Sequence, residues 1–198
     1  NITPSGVTSF EIDKLYEITK SFLGVIKQVP PMYSAVHYNG QRLYEMARKG
    51  QTVERKARAV EIFSLDVLEI NHASELPVIG IKVSCSRGTY IRTLCHDIGK
   101  NLNTGAYMSK LVRTRTGIFR IEDSLMLEDI AQKGITAQNF LPMDYPLQYM
   151  YNITVDRNHE RLVMNGNQVV IDDLPEGNIR IYSRENRLIA IAKSGFSG

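Results

Sequence analysis

The sequence predicts an α+β protein: a mixed, mainly antiparallel sheet with flanking helices, followed by a small carboxyl-terminal β-barrel-like module. Three observations predict it. Apolar residues recur at helical spacing in two segments, they alternate with polar ones in period two between them, and past Pro142 and Pro146 the chain turns to short β-rich stretches.

Elements follow in chain order. Thr8 and Glu11 fit a capping box, and Ile12, Leu15, Tyr16, Phe22 and Leu23 predict a helix that Gly24 stops. Val29-Pro30-Pro31 forbids helix, so the chain through Ser34, Ala35 and Val36 is expected to be extended and to turn at Asn39-Gly40. A short helix is expected from Leu43 to Lys49, closed by Gly50, then strands over Val60 to Ile70 and Ile79 to Cys85. Ile91, Leu94, Cys95, Ile98 and Leu102 predict a helix starting just after Gly88-Thr89, with Arg92, His96 and Lys100 on its polar face. A strand over Tyr107 to Gly117 would set Leu111, Arg113 and Arg115 on one face. Ser124 to Lys133 reads as a helix ended by Gly134. In the tail, Ile153-Val155, Val169-Ile171, Ile179-Tyr182 and Leu188-Ala192 read as short strands, separated by turns that include Asn165-Gly166. The expected division is therefore 1–146 and 147–198.

With 198 residues and 43% hydrophobic content the chain can bury one substantial core and a small second one. No apolar run reaches the roughly 18 residues of a membrane span and no targeting segment is visible, so a soluble, cytoplasmic protein is expected. Cys85 and Cys95 lack metal-ligand spacing and read as free thiols, so neither a metal nor a disulfide framework is expected. The net charge is only +3, but it is unevenly spread. Between Ser84 and Arg120 stand Arg87, Arg92, Lys100, Lys110, Arg113, Arg115 and Arg120 against a single acid, Asp97. A second basic run includes Arg42, Arg48, Arg55 and Arg58. Folded together, such segments would give a positive face for phosphates; left apart, they are solvated surface.

Three stretches go further. Pro30-Pro31-Met32-Tyr33-Ser34-Ala35, continued by Gly40, Arg42, Tyr44, Glu45, Ala47, Arg48 and Gly50, resembles the PPxxSAxKxxGxRxYExARxG pattern of the bacterial TruB-type tRNA pseudouridine synthases. Cys85-Ser86-Arg87-Gly88-Thr89-Tyr90-Ile91-Arg92, with Asp97-Ile98-Gly99, resembles that family's CSxGTYIRxLxxDLG. Gly105-Ala106, then Leu111, Arg113, Arg115, Gly117 and Phe119, is similar to its GAxxxxLxRTxxGxF. The tail around Asn165-Gly166-Asn167 resembles the PUA-like RNA-binding module of many members.

The resemblance implies isomerisation of the uridine at position 55 in the T stem-loop of tRNA, with no cofactor and no metal, by an enzyme that is monomeric. The nucleotide would be flipped into a pocket, an aspartate would act on the ribose, and the freed uracil would rejoin through C5. That aspartate belongs to a GxLDPxAxG loop, and no Asp here stands in such a context, so this chain alone is expected to be inactive. Arg92 matches the family's partner of the aspartate, where a guanidinium keeps the acid ionised; Leu111 and Tyr90 match pocket positions. Without the family, Arg92 is a surface helix arginine, Leu111 a core leucine and Tyr90 a core aromatic. Arg87, Lys110, Arg113, Arg115, His37 and Arg42 are the expected RNA contacts, and His37 departs from the family's Lys, which would bring titration near neutrality to that contact. The alternative is a non-catalytic RNA-binding module on the same scaffold.

Overall fold

The computed structural model describes residues 9–72 and 76–195, and the chain divides into two compact units, Asn1–Leu111 and Val112–Gly198. In the first, helix α1 (Ile12–Ser21) leads into strand β1 (Gly24–Gln28). The hairpin β2 (His37–Tyr38) and β3 (Gln41–Arg42) precedes helix α2 (Leu43–Arg48); β4 (Arg58–Asn71) and β5 (Val78–Cys85) form the long arms of the sheet; α3 spans Ile91–Asn101. The sheet runs β1-β4-β5 and is antiparallel throughout. Leu15 of α1, Ile62 of β4, and Leu94, Ile98 and Leu102 of α3 and its end meet in one buried cluster, so both helices lie on the same sheet face. The apolar spacing dictates this, because residues three and four apart share one helix face.

Two expectations change here. The Thr8 half of the capping box lies outside the described residues, and α1 starts with Glu11 at its N-cap, which makes no side-chain cap bond. Strand β1 was not foreseen. Five residues before Pro-Pro carry little signal of their own, and what orders them is the ladder to β4 from Gly24↔Ile62 to Gln28↔Arg58. The Asn39-Gly40 turn is present, with φ of 49° and 82° at its two residues, the left-handed pair that a tight hairpin requires.

The second unit holds a small hairpin, β6 (Arg115–Thr116) and β7 (Phe119–Arg120), then helix α4 (Leu127–Lys133), stopped by Gly134 at φ +75°. Strand β8 (Tyr151–Thr154), helix α5 (Arg157–Met164), β9 (Gly177–Tyr182) and β10 (Leu188–Ser194) complete it. The sheet order is β10-β9-β8, with β9 antiparallel to β10 but parallel to β8. Val155, Ile179 and Ile181 form its core. The segment between Pro142 and Met150 is tied to β9. Asp144 accepts hydrogen bonds from the Tyr182 hydroxyl and from Arg180 (3.2 Å), and Arg180 also donates to the Met150 carbonyl (3.2 Å).

The strand expected over Tyr107 to Gly117 shrinks to Arg115–Thr116, because only those residues find a ladder partner. Leu111, Arg113 and Arg115 therefore share no strand face. The strand expected at Val169-Ile171 does not form, and residues 157–164 are helical instead. Asp156 explains it: its carboxylate accepts the N–H groups of Asn158 and His159, both at 2.9 Å, as an N-cap does. Asn165-Gly166 then closes that helix, Gly166 bonding back to the Val163 carbonyl at 2.9 Å, and turns no hairpin. Among the described residues no helix is long and apolar enough to cross a membrane.

Candidate functional site

The densest arrangement of the expected site residues lies where β5 hands over to α3. Ser86 extends the ladder past the strand end: its N–H donates to the Glu61 carbonyl (2.8 Å) and its hydroxyl accepts the Glu61 N–H (2.9 Å). Thr89 folds back on Ser86, its hydroxyl donating to the Ser86 carbonyl at 2.9 Å, and Gly88 sits at φ +86° with open space around it. The chain then enters α3 through Tyr90, which is extended (φ −99°, ψ 102°) and has no side-chain cap.

Tyr90 is fixed from the side by Gln28, at the end of β1. The Tyr90 N–H donates to Gln28 Oε1 at 2.8 Å, and Gln28 Nε2 donates to the Tyr90 carbonyl at 3.2 Å. Gln28 is 2% exposed, so both bonds are shielded from water. Arg87 and Tyr90 line one cavity of about 320 Å³ with Gln28, Pro30, Arg58 and Gly88. Among the described residues no carboxylate lines it, so its two guanidinium groups give it a positive character.

One residue into α3, Arg92 is exposed, and its Nη2 donates to the Tyr33 carbonyl at 3.3 Å. Among the described residues it forms no ion pair with a carboxylate. A guanidinium has five N–H donors, so one backbone bond fixes its direction and leaves most of the fork open. Helix α3 is also clamped at its far end. A Cβ added at Gly99 would lie 2.2 Å from the Ala106 nitrogen and 2.4 Å from its Cβ, while Gly105 N–H bonds to the Gly99 carbonyl at 3.0 Å. The glycine of the second motif thus makes room for the Gly105-Ala106 pair of the third.

Elsewhere in this unit His37 faces Arg42 across the β2–β3 hairpin, both exposed. Arg42 donates to the Tyr44 hydroxyl at 3.3 Å, a bond that raises its pKa further, and Arg48 lies 5.3 Å from the Tyr44 ring centre. Lys110 is exposed, and Leu111 is 53% exposed, which removes its reading as a core leucine. In the second unit Arg113 is exposed, while Arg115 stands opposite Arg120 and bonds through Nε to the Gly117 carbonyl at 2.8 Å. A separate open cavity of about 670 Å³ is lined by Arg157, Arg161 and Arg187 with Glu160 and Glu185; an Arg187–Glu160 pair at 3.1 Å makes it nearly balanced in charge. The two cysteines are free thiols, and partial burial raises the pKa of Cys95.

Gln28 was not singled out from the sequence, and Arg58 only as a member of the second basic run. The signal for Gln28 was slight: a polar residue at the inward phase of Val25-Ile26-Lys27-Gln28, just ahead of Pro-Pro.

Residues 1–91 match the TruB family pseudouridylate synthase N-terminal domain, and residues 92–148 match the tRNA pseudouridylate synthase B C-terminal domain. The chain belongs to the TruB family. Curated TruB relatives agree. It is 44% identical over 194 residues to the tRNA pseudouridine synthase B of Syntrophomonas wolfei, covering 97% of this chain and 64% of that protein. It is 41% identical over 192 residues to that of Clostridium tetani, covering 93% and 64%. It thus spans somewhat under two thirds of these TruB relatives. Among solved structures it resembles a chain of a Cbf5-Nop10-Gar1 complex, with a TM-score of 0.65 and 26% identity over 94% of this chain and 56% of that one. A chain of an H/ACA RNP bound to a substrate RNA containing 2′-deoxyuridine shares the fold, with a TM-score of 0.67 and 23% identity over 97% and 57%.

Proposed function

We propose that this chain is the larger part of a tRNA pseudouridine synthase, an isomerase that converts the uridine at position 55 of the T stem-loop to pseudouridine in the cytoplasm. The observation that carries the reading is the seating of Tyr90 and Arg92 at the start of α3 beside a positively lined cavity. The names of the curated relatives support the same chemistry.

The reaction needs an ionised carboxylate at the ribose, breakage of the C1′–N1 bond, rotation of the uracil and closure of a C1′–C5 bond, with the C5 proton lost and N1 gaining one. A buried carboxylate stays charged only beside a fixed positive partner. Arg92 is that partner: its backbone bond to Tyr33 sets its direction and leaves most of its donors for a planar fork. The aspartate belongs to a GxLDPxAxG loop that these 198 residues do not contain, so the activity is proposed for a protein that includes it. Tyr90 and Leu111 shape the pocket around the base, and an exposed leucine suits a wall that a ligand covers. Arg87, Lys110, Arg113, Arg115, His37 and Arg42 hold the RNA backbone, each cation that meets a phosphate releasing condensed counterions. Residues 147–198 serve as a PUA-like RNA-binding module, with Arg157, Arg161 and Arg187 as its cationic groups. The enzyme works as a monomer.

The test is pseudouridine formation in a T-arm hairpin by the full protein. Arg92→Ala is expected to abolish it while hairpin binding persists. Replacing Arg113 and Arg115 by Glu is expected to weaken binding at every hairpin sequence and to lower the salt slope by about one unit per lost contact. Unaltered turnover in Arg92→Ala would overturn the catalytic reading and leave the alternative, a binding module without chemistry.

A further inference from the structure

Around the start of α3, Arg92 meets solvent and Gln28 does not. Gln28 is buried, neutral and distant in sequence from the motif it touches, yet its carboxamide spends one donor and one acceptor on a single residue, Tyr90. The pairing has a definite chemistry. The backbone of Tyr90 offers one donor and one acceptor, and a carboxamide is the side-chain group that answers both, as the peptide of a neighbouring strand would. The Tyr90 N–H can be accepted only by Oε1, which turns Nε2 toward the Tyr90 carbonyl. That carbonyl also accepts the first helical bond of α3, from the Leu94 N–H at 3.0 Å. Gln28 therefore partners, from outside the helix, one of the N–H groups at the uncapped start of α3.

The same short segment touches the helix again at Tyr33. Pro30 is buried, its carbonyl held by Arg55 Nη1 at 3.1 Å, and Tyr33 presents the carbonyl that receives Arg92. Residues 28 and 33 thus bracket residues 90 and 92, one by a side chain on backbone, the other by backbone on a side chain.

We infer that Gln28 is a positioning residue for the isomerisation: by pairing with the Tyr90 backbone it fixes the first turn of α3, and through that turn the direction of Arg92. This rests on the assignment of Arg92 as the partner of the catalytic acid. Although Gln28 borders the cavity that Arg87 lines, it is 2% exposed and its carboxamide is bonded to Tyr90, so its loss changes the rate of the chemical step and leaves RNA affinity nearly unaltered.

The experiment uses the full protein and a T-arm hairpin, with single-turnover rate, hairpin Kd and urea midpoint measured for each variant. Gln28→Leu removes both hydrogen bonds at similar volume; Gln28→Glu keeps the acceptor and loses the donor, and serves if the leucine variant fails to fold. Both are expected to slow the chemical step by about 10- to 100-fold, as a small misplacement of a reacting group does, with Kd within about twofold of the parent. Arg92→Lys is the second arm, chosen because it leaves a measurable rate. If Gln28 acts through residue 92, Gln28→Leu combined with Arg92→Lys is no slower than the worse single variant; a group that merely holds the fold together gives costs that multiply. A parental rate in folded Gln28 variants, a loss confined to Kd, or multiplying costs would each overturn the inference. Those results leave the functional reading standing as long as Arg92→Lys is slow, whereas a parental rate in Arg92→Lys sinks the reading itself.

Discussion

The two units hold their functional elements by different means. In the first, α3 is seated by apolar burial and neutral hydrogen bonds: Leu94 and Ile98 in the core, Gln28 on Tyr90, and Gly99 against Gly105-Ala106. Among the described residues the second has a smaller buried core, Val155, Ile179 and Ile181 with partly buried residues such as Ile153 and Ile189 packed on it, and adds ionic anchors, with Arg180 7% exposed and bound to Asp144, and Asp156 capping α5. A small core stabilises little, so polar anchoring carries a larger share there. The contrast teaches where each unit is vulnerable: the first to changes of shape, the second to changes of charge.

The contrast can be broken by mutation, most severely in the first unit. Leu94→Ala, at a site 0% exposed, is expected to cost about 2–5 kcal/mol, read as a fall in the urea midpoint with hydrogen exchange rising over residues 9–111. Gly99→Ala is expected to be next, at about 1–3 kcal/mol. An alanine usually stabilises a helix relative to glycine, so a loss here has the opposite sign from propensity and isolates the close approach of Ala106. A neutral or stabilising result would show that the Gly105-Ala106 segment yields.

Acid sharpens the second half. The Asp144 carboxyl is held below its usual range, chiefly by the Tyr182 hydroxyl, and Asp156 chiefly by the His159 N–H. A depressed carboxyl contributes stability that is present above its unfolded pKa of about 4 and lost as pH falls through the folded value. Exchange protection over β9 and α5 is therefore expected to drop below about pH 4, with Asp144→Asn reducing that dependence. Asp156→Ala is the smallest expected effect. It removes the cap and frays the first turn of α5, seen as faster exchange at Asn158 and His159.

How much of this was legible in the sequence follows from the same division. Elements whose order is local were readable: α1, α2, α3 and the Asn39-Gly40 hairpin announce themselves by apolar spacing and turn residues. The long apolar strands β4, β5, β9 and β10 were readable too, from their β-branched runs and alternation, whereas features set only by a remote partner were not. Strand β1 depends on β4, and the seat of α3 depends on a glutamine whose partner atoms are backbone. Alternation over Tyr107 to Gly117 suggested a strand, but a strand needs a ladder, and only Arg115–Thr116 has one. Helix α5 was hidden by its polar composition, although its Asp156 cap was there to be read. Arg92 was identified by motif; that its anchor is the Tyr33 carbonyl could come only from coordinates.

The boundary between the two matched domain descriptions falls between Ile91 and Arg92, inside the first turn of α3. Any exchange of segments between relatives at that junction would join one parent's Gln28 and Tyr90 to the other parent's Arg92. Chimeras cut there inherit a mismatched seat for the guanidinium, whereas a cut after Leu111 keeps helix and bracket from a single ancestor.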